Sequence, residues 1–131
     1  MNRYTLILIF LFSLMFSSPS YSEWTKIGKG GGSGNRGVNF YVDYETIRKV
    51  DGYVYFWRMK DRSKPKYGNL SSKVHVQGDC KLFRIKRLSF SYHKEPMGGG
   101  TGRVDNVPDE NWRDPHPNSA NERLLKDICS R

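Results

Sequence analysis

The middle of the chain alternates apolar and polar residues, and this pattern restricts the fold more than any other feature. From Val38 to Tyr44 an apolar residue occupies every second position. Successive side chains of a strand point to opposite faces, so this segment is expected to form a strand with one buried face. Asp51-Gly52 supplies a hairpin turn, and Tyr53–Lys60 carries apolar side chains on both faces. That is typical of a central strand covered on both sides.

Further segments extend the same pattern. Trp24–Ile27 predicts a short first strand, Ser71–Cys80 alternates again, and Gly102–Val107 predicts a weak strand. Lys81–Tyr92 carries apolar residues at both even and odd positions, so we expect a bulge or change of face near residues 84–87. Loops or turns are expected between them: glycine-rich Gly28–Gly37, a short turn at Ile47, the basic segment Asp61–Gly68, a turn or bulge at Gly78-Asp79, and glycine-rich Met97–Gly102.

The C-terminal segment predicts a helix. Pro117 cannot continue a preceding helix, and Ser119 with Glu122 forms a capping box, with Ser119 as the N-cap. The apolar residues that follow share one face: Leu124, Leu125, Ile128 and Cys129. We expect this face to pack on the sheet. The fold class is therefore α+β: an antiparallel meander of about six strands covered by one C-terminal helix.

The N-terminal residues predict a signal peptide over 1–22. Arg3 precedes an apolar run from Leu6 to Phe16, and Ser20 and Ser22 are the small residues that a signal peptidase reads. The run is shorter than the ~20 residues needed to cross a bilayer. No cysteine lies near the cleavage point, so no lipoprotein is expected. Residues 23–131 are expected to form one exported domain, periplasmic or extracellular, without a transmembrane segment.

Cys80 and Cys129 are the chain's two cysteines, and both lie in the exported part. In an oxidising compartment an isolated pair is far more often a structural disulfide than a redox or metal site. No C-x-x-C spacing argues otherwise. Closing a loop of this length stabilises a domain by about 4 kcal/mol in the chain-entropy model.

No motif predicts catalysis or a bound cofactor. Gly32–Gly37 matches G-x-G-x-x-G, but a strand follows it instead of the helix that a phosphate site requires. His75, His93 and His116 are scattered without zinc-ligand spacing. Asp109-Glu110 is the one adjacent carboxylate pair, and a solvated loop pair is a weak basis for a hydrolase. We expect no enzyme, metal, cofactor or small-molecule substrate.

Basic residues give the clearest functional signal. The chain has 22 Lys and Arg against 13 Asp and Glu. Five cations recur at every second position: Arg58, Lys60, Arg62, Lys64 and Lys66. On an extended chain they share one face, which can attract glycosaminoglycan, lipopolysaccharide or nucleic acid. Four further cations lie nearby in sequence: Lys81, Arg84, Lys86 and Arg87. The alternative is a charged, solvated surface without a ligand.

Nucleic acid is the less expected partner of this surface. A platform for single strands needs exposed aromatic residues between its charges. The aromatic residues before the stripe are Tyr53, Tyr55 and Trp57, and such residues are more often part of a core.

Several motifs resemble the surface-adhesin protein E family of exported bacterial proteins. They extend through nearly all of the exported part: Glu23-Trp24 to Gly28, the glycine-rich loop, Phe40-Tyr41-Val42-Asp43 with Ile47-Arg48, Trp57, Leu70-Ser71-Ser72-Lys73, Gly78-Asp79-Cys80, Trp112, Pro117-Asn118-Ser119 and Leu125 to Cys129. The resemblance implies an antiparallel sheet with a packed C-terminal helix and a Cys80–Cys129 bridge. It also implies a surface or periplasmic protein, and the family's founding member binds vitronectin and laminin.

From this resemblance we expect a non-catalytic, adhesin-like binding protein whose partner is a matrix protein or an anionic polysaccharide. The alternative is a structural protein that its charge tethers to anionic envelope polymers. The resemblance transfers no binding residue and leaves the oligomeric state open, with a dimer as one option.

The signal peptide generates the first testable prediction. Cleavage after Ser22 should give an exported protein whose first residue is Glu23, since small residues stand at both recognition positions. Intact-mass spectrometry of the exported protein measures this directly. A protein that retains Met1 in a membrane fraction would contradict the prediction.

Overall fold

The computed structural model describes residues 2–4, 23–30 and 36–131. Within these ranges, six strands form one antiparallel sheet in chain order, followed by one helix of 11 residues. The elements are β1 (Thr25–Lys29), β2 (Val38–Val50), β3 (Tyr53–Lys66), β4 (Asn69–Asp79), β5 (Arg84–His93), β6 (Val104–Asp105) and α1 (Ala120–Ser130). The predicted α+β fold class is confirmed. The predicted signal peptide lies outside the described residues except for 2–4.

Two segments predicted as turn or loop belong to strands, so those predictions were wrong. Ile47 lies inside β2, in a bulge between Asp43 and Arg48. The basic segment extends β3 to Lys66, and the reversal comes at Tyr67-Gly68. Pairs that flank each segment hold it in its strand: Arg48–Val50 pair with β3 after the bulge, and Asp61 and Lys66 pair with β4 on either side of a register shift.

The predicted change of face in the fifth strand is confirmed. Val76 pairs with Arg87 and His75 pairs with Ser89, so Leu88 is the extra residue of a β-bulge, one position beyond the predicted stretch. The bulge places Phe90 on the same face of the sheet as Arg87. Without it, the apolar residues at even positions would point to the opposite face.

Gly78-Asp79 was predicted to turn or bulge the chain, and this was correct only for Asp79. Gly78 pairs with Val54 within β4, whereas Asp79 precedes the turn at residues 80–83 and accepts hydrogen bonds from its Lys81 and Leu82 amides. A Cβ at Gly78 would lie 2.6 Å from Leu125 Cδ1 and 2.7 Å from Val54 Cγ2. The glycine therefore allows α1 to approach the sheet closely.

Helix α1 begins as its sequence predicts. The Ser119 hydroxyl accepts a hydrogen bond from the Glu122 amide at 3.1 Å, which satisfies an N–H group of the first turn. The Glu122 carboxylate accepts from the Asn118 amide at 3.3 Å and not from the N-cap amide, so the return bond lies one residue earlier than in a standard capping box.

The helix packs its apolar face on the sheet, and the predicted Cys80–Cys129 disulfide is confirmed. Leu124, Leu125 and Ile128 are buried. The sheet contributes the other buried residues of this core cluster: Val42, Val54, Phe56, Val74, Val76 and Ile85. The disulfide joins the C-terminal end of α1 to the turn after β4.

The prediction that the return strand is covered on both faces is correct only in part. Val54 and Phe56 are buried in the core that includes α1. On the opposite face, Met59 is buried beside the 3₁₀ turn Pro96–Gly98. Tyr55 and Trp57 on that face remain partly exposed.

Gly78→Ala should destabilise the fold by about 1–3 kcal/mol, because the added methyl group overpacks the contact between helix and sheet. The free energy of unfolding from urea denaturation measures this. Gly28→Ala is the matched control, since its Cβ would meet its nearest neighbour, Arg123 Nη2, at an ordinary 3.5 Å. Equal stability of both variants would contradict this account of Gly78.

Candidate anion-binding cavity

Helix α1 covers only part of its face of the sheet, and a cavity of about 660 Å³ lies on the remainder. Six cationic residues line this cavity: Arg58, Lys60, Arg62, Lys66, Arg87 and Arg103. We call it the basic cavity. Its floor is formed by residues of β4, and residues of β5 line the side opposite β3.

Strand geometry brings these cations together. Arg58, Lys60 and Arg62 occupy alternate positions of β3 and therefore point to one face. Arg87 reaches the same cavity from β5, and Arg103 reaches it from the loop before β6.

Four of the five residues of the predicted stripe line the basic cavity, whereas Lys64 is exposed and lies outside its lining. Of the nearby cations only Arg87 joins the cavity; Arg84, for example, forms a 3.0 Å ion pair with Asp79. The stripe's role in binding stays a prediction. Arg103 was missed, since it stands alone after a glycine-rich loop and no periodic pattern marks it.

Arg58 is half-buried beside α1. Its Nη1 donates a hydrogen bond to the Asn121 side chain of α1, and its buried Nε has no partner among the described residues. Burial, aided by the positive charge of Arg87, lowers the pKa of Arg58 to about 10, although Asp109 acts in the opposite direction. The fold therefore holds a poorly solvated guanidinium beside the cavity.

The charged form of Lys60 is also disfavoured by its surroundings. Burial, reinforced by repulsion from neighbouring cations led by Arg58, lowers the pKa of its ammonium group to about 8. Its Nζ lies 5.6 Å from the centre of the Phe40 ring, which offsets only part of this cost. An anion among these cations would favour the charged forms of both Lys60 and Arg58.

Ion pairing neutralises one cation of the cavity. The Arg87 guanidinium donates to both carboxylate oxygens of Asp109, at 2.8 and 3.2 Å. Within the described ranges, the other five cavity cations form no salt bridge. The cavity thus keeps a local excess of positive charge.

Asp109 was expected to be solvated as half of a carboxylate pair, and this was wrong. Its side chain is only 13% exposed and is also 3.7 Å from Arg113. Burial works to raise the pKa of Asp109, but hydrogen bonds and positive charge from Arg87 outweigh it and hold the pKa below its ordinary value. This carboxylate is ionised and engaged with arginine.

The other candidates are placed apart from the cavity. His75 stacks on Trp57 with ring centres 4.6 Å apart, His93 contacts the Ser91 hydroxyl at 2.8 Å, and His116 is exposed. In residues 2–4, 23–30 and 36–131, no three His, Cys, Asp or Glu side chains are grouped to hold a metal. Only the last two residues of the Gly32–Gly37 pattern are described, in a turn before β2.

Comparison with known proteins identifies related sequences and folds. The family model for surface-adhesin protein E matches residues 24–130. A structure of Haemophilus influenzae protein E has 15% sequence identity and a TM-score of 0.60, covering 82% of this chain and 93% of that chain. Its Se-Met form has 14% identity and a TM-score of 0.62, covering 82% and 95%. A structure of protein E from non-typeable Haemophilus influenzae has 16% identity and a TM-score of 0.54, covering 84% and 86%.

These likenesses establish the fold. A comparison with curated protein sequences found no significant match. Among the described residues, no helix has the length and apolar character needed to span a membrane.

Lys60→Met should stabilise the protein by roughly 1–2 kcal/mol at pH 7. The folded-state pKa of about 8 lies below the ordinary 10.5, so charged Lys60 opposes folding below pH 8. This opposition fades as the pH rises from 8 to 10.5. The gain measured by urea denaturation should therefore be smaller at pH 10 than at pH 7.

Lys64→Met is the control for this substitution, because Lys64 is exposed on the same strand and should change stability by less than about 0.5 kcal/mol. A Lys60→Met gain that matches the control, or that does not change with pH, would show that Lys60 carries no such electrostatic cost.

Proposed function

The chain belongs to the surface-adhesin protein E family, and from this membership and the basic cavity we propose that it is an exported, non-catalytic, adhesin-like protein that binds anionic polysaccharide. The observation that carries the proposal is the concentration of cations. Five of the six in the cavity lack an ion-pair partner among the described residues, and none of the lining residues is acidic.

The arrangement of the cations favours a polymer with repeating negative charges. Alternate residues of a strand lie about 6.6 Å apart, so Arg58, Lys60 and Arg62 form a regular row. A linear polyanion can contact several members of such a row, and each contact releases counterions. Sulfated or carboxylated polysaccharides of the extracellular matrix or cell envelope have this chemistry.

The polymer first makes contact at Lys66, an exposed cation that continues this row toward the hairpin turn. Lys66 lies at the end of β3, where its Nζ is 5.8 Å from the centre of the Tyr67 ring at the hairpin turn. Arg58 lies at the other end of the row, beside α1. Positive potential therefore extends from the hairpin tip to the helix and attracts polyanions before contact.

Heparin binding tests this proposal with paired charge variants. Arg62→Ser with Lys66→Ser removes two cavity cations and should weaken heparin binding by at least tenfold at low salt. The slope of log affinity against log salt should flatten by roughly two units, one for each cation removed. Affinity should also fall as the pH rises above 8, where Lys60 loses its charge.

Lys64→Ser with Lys126→Ser is the matched control. It removes the same net charge from exposed positions outside the cavity lining. We expect less than a threefold loss of affinity, and neutral dextran should bind neither protein. Equal weakening in both double variants would mean that net charge alone attracts heparin, as expected of an envelope protein held by unspecific electrostatics. A purified matrix protein that binds while heparin does not would replace the polysaccharide with a protein partner.

A further inference from the structure

The two walls of the basic cavity differ in chemistry. In one cross-strand row, Arg58 on β3 pairs with Val74 on β4, which pairs with Phe90 on β5. In the next row on the same face, Lys60 pairs with Ser72, which pairs with Tyr92. The cavity therefore has a cationic wall on β3 and an aromatic wall on β5.

Small side chains separate these walls. Ser72 and Val74 of β4 form the floor between them. Neighbouring strands lie about 4.8 Å apart, so the two walls are about 10 Å apart at the backbone. A trough of this width accepts one ring or a short apolar chain lying along β4.

Two cations outside the β3 row contact the rings of the aromatic wall. The Arg87 guanidinium lies 5.1 Å from the centre of the Phe90 ring, and the Arg103 guanidinium lies 5.4 Å from the centre of the Tyr92 ring. Such cation–π contacts restrict the rings, and both arginines line the cavity together with them. The aromatic wall is thus positioned before any ligand enters.

We propose that the basic cavity binds a compact amphipathic anion, whose acidic group contacts Lys60 and Arg58 and whose ring or apolar part lies against Phe90 and Tyr92. This deepens the proposed function by naming the group that the cavity selects, such as an acidic terminal unit of a larger glycan or a free aromatic acid. The expectation of no small-molecule substrate rested on the absence of catalytic and cofactor motifs. A cavity of about 660 Å³ falls within the usual size range of small-ligand sites.

The burial of Arg58 favours this selectivity over binding of charge alone. Arg58 lies beside α1 at the inner end of the cationic row, and its Nε lacks a partner among the described residues. An anion that reaches this depth must give up most of its water, so it needs apolar contacts as well as charge. Val74 and Phe90 supply these contacts in the same cross-strand row as Arg58.

Three small probes separate the contributions of the two walls. Naphthalene-2-sulfonate carries both a ring and an anion, methanesulfonate carries only the anion, and 2-naphthalenemethanol carries only the ring. Calorimetric titration of the full exported protein should show that naphthalene-2-sulfonate binds at least tenfold more tightly than either partial probe. Equal binding of methanesulfonate or of 2-naphthalenemethanol would overturn the proposal.

Ser72→Phe places a ring on the floor of the trough and keeps every cation, so it should weaken naphthalene-2-sulfonate binding by at least tenfold. Ser63→Phe is the matched control, because Ser63 is exposed on β3 outside the cavity lining. It should change the affinity by less than twofold. Unchanged binding to folded Ser72→Phe protein would place the probe elsewhere and overturn the proposal.

If Ser72→Phe fails to fold by circular dichroism, Tyr92→Ser decides the question. It shortens the aromatic wall and should reduce the preference for naphthalene-2-sulfonate over methanesulfonate by at least threefold; an unchanged preference overturns the proposal.

The heparin experiment separates the two proposals. If the protein binds heparin but not naphthalene-2-sulfonate, only the amphipathic site is contradicted. If it binds neither, the proposed function is contradicted as well.

Discussion

The close docking of one short helix onto part of one face of the sheet is the constraint on which the rest of the structure depends. The disulfide holds the C-terminal end of α1 beside the turn after β4, and Gly78 leaves room for Leu125. Eleven residues of helix extend only about 16 Å, so α1 cannot cover strands as long as β3. The same face therefore contains an apolar core under the helix and a basic cavity beyond it.

Electrostatics distinguishes the cavity from an ordinary charged surface. On a solvated surface, flexible side chains can move apart and salt screens their charges, so the repulsion between cations is small. Here the strands fix Arg58 and Lys60 in neighbouring rows, and burial removes much of the water that would screen them. Residues that lower stability without serving the core are expected where a protein keeps a site for a ligand. Arg87 shows the contrast, since its bidentate pair with Asp109 is internally compensated.

Most of the fold could be predicted from the sequence because the strongest signals in the sequence are local. Alternation, the Ser119 cap and the apolar face around Leu125 each act within a few residues, and the structure contains the strands and helix they predict. The ends of β2 and β3 were missed because backbone pairing with neighbouring strands sets them, and no single segment encodes that pairing. Four stripe cations reach one cavity because strand periodicity is also local, whereas Arg103 arrives through a long-range contact that leaves no pattern.

The bulge at Leu88 links the fold to the chemistry of the cavity. An unbroken period of two from Arg87 would place Phe90 and Tyr92 on the face that α1 does not cover. The extra residue moves both rings to the face that carries Arg58 and Lys60, across the small residues of β4. A mixture of even and odd apolar positions is sufficient to predict such a bulge. Its consequence emerges only when the partner strand is known, because the residues opposite the rings decide whether they complete a core or a binding site. Phe90 and Tyr92 pair with Val74 and Ser72 of β4. The next residues across the sheet are Arg58 and Lys60 of β3, and an apolar core would not accommodate these cations.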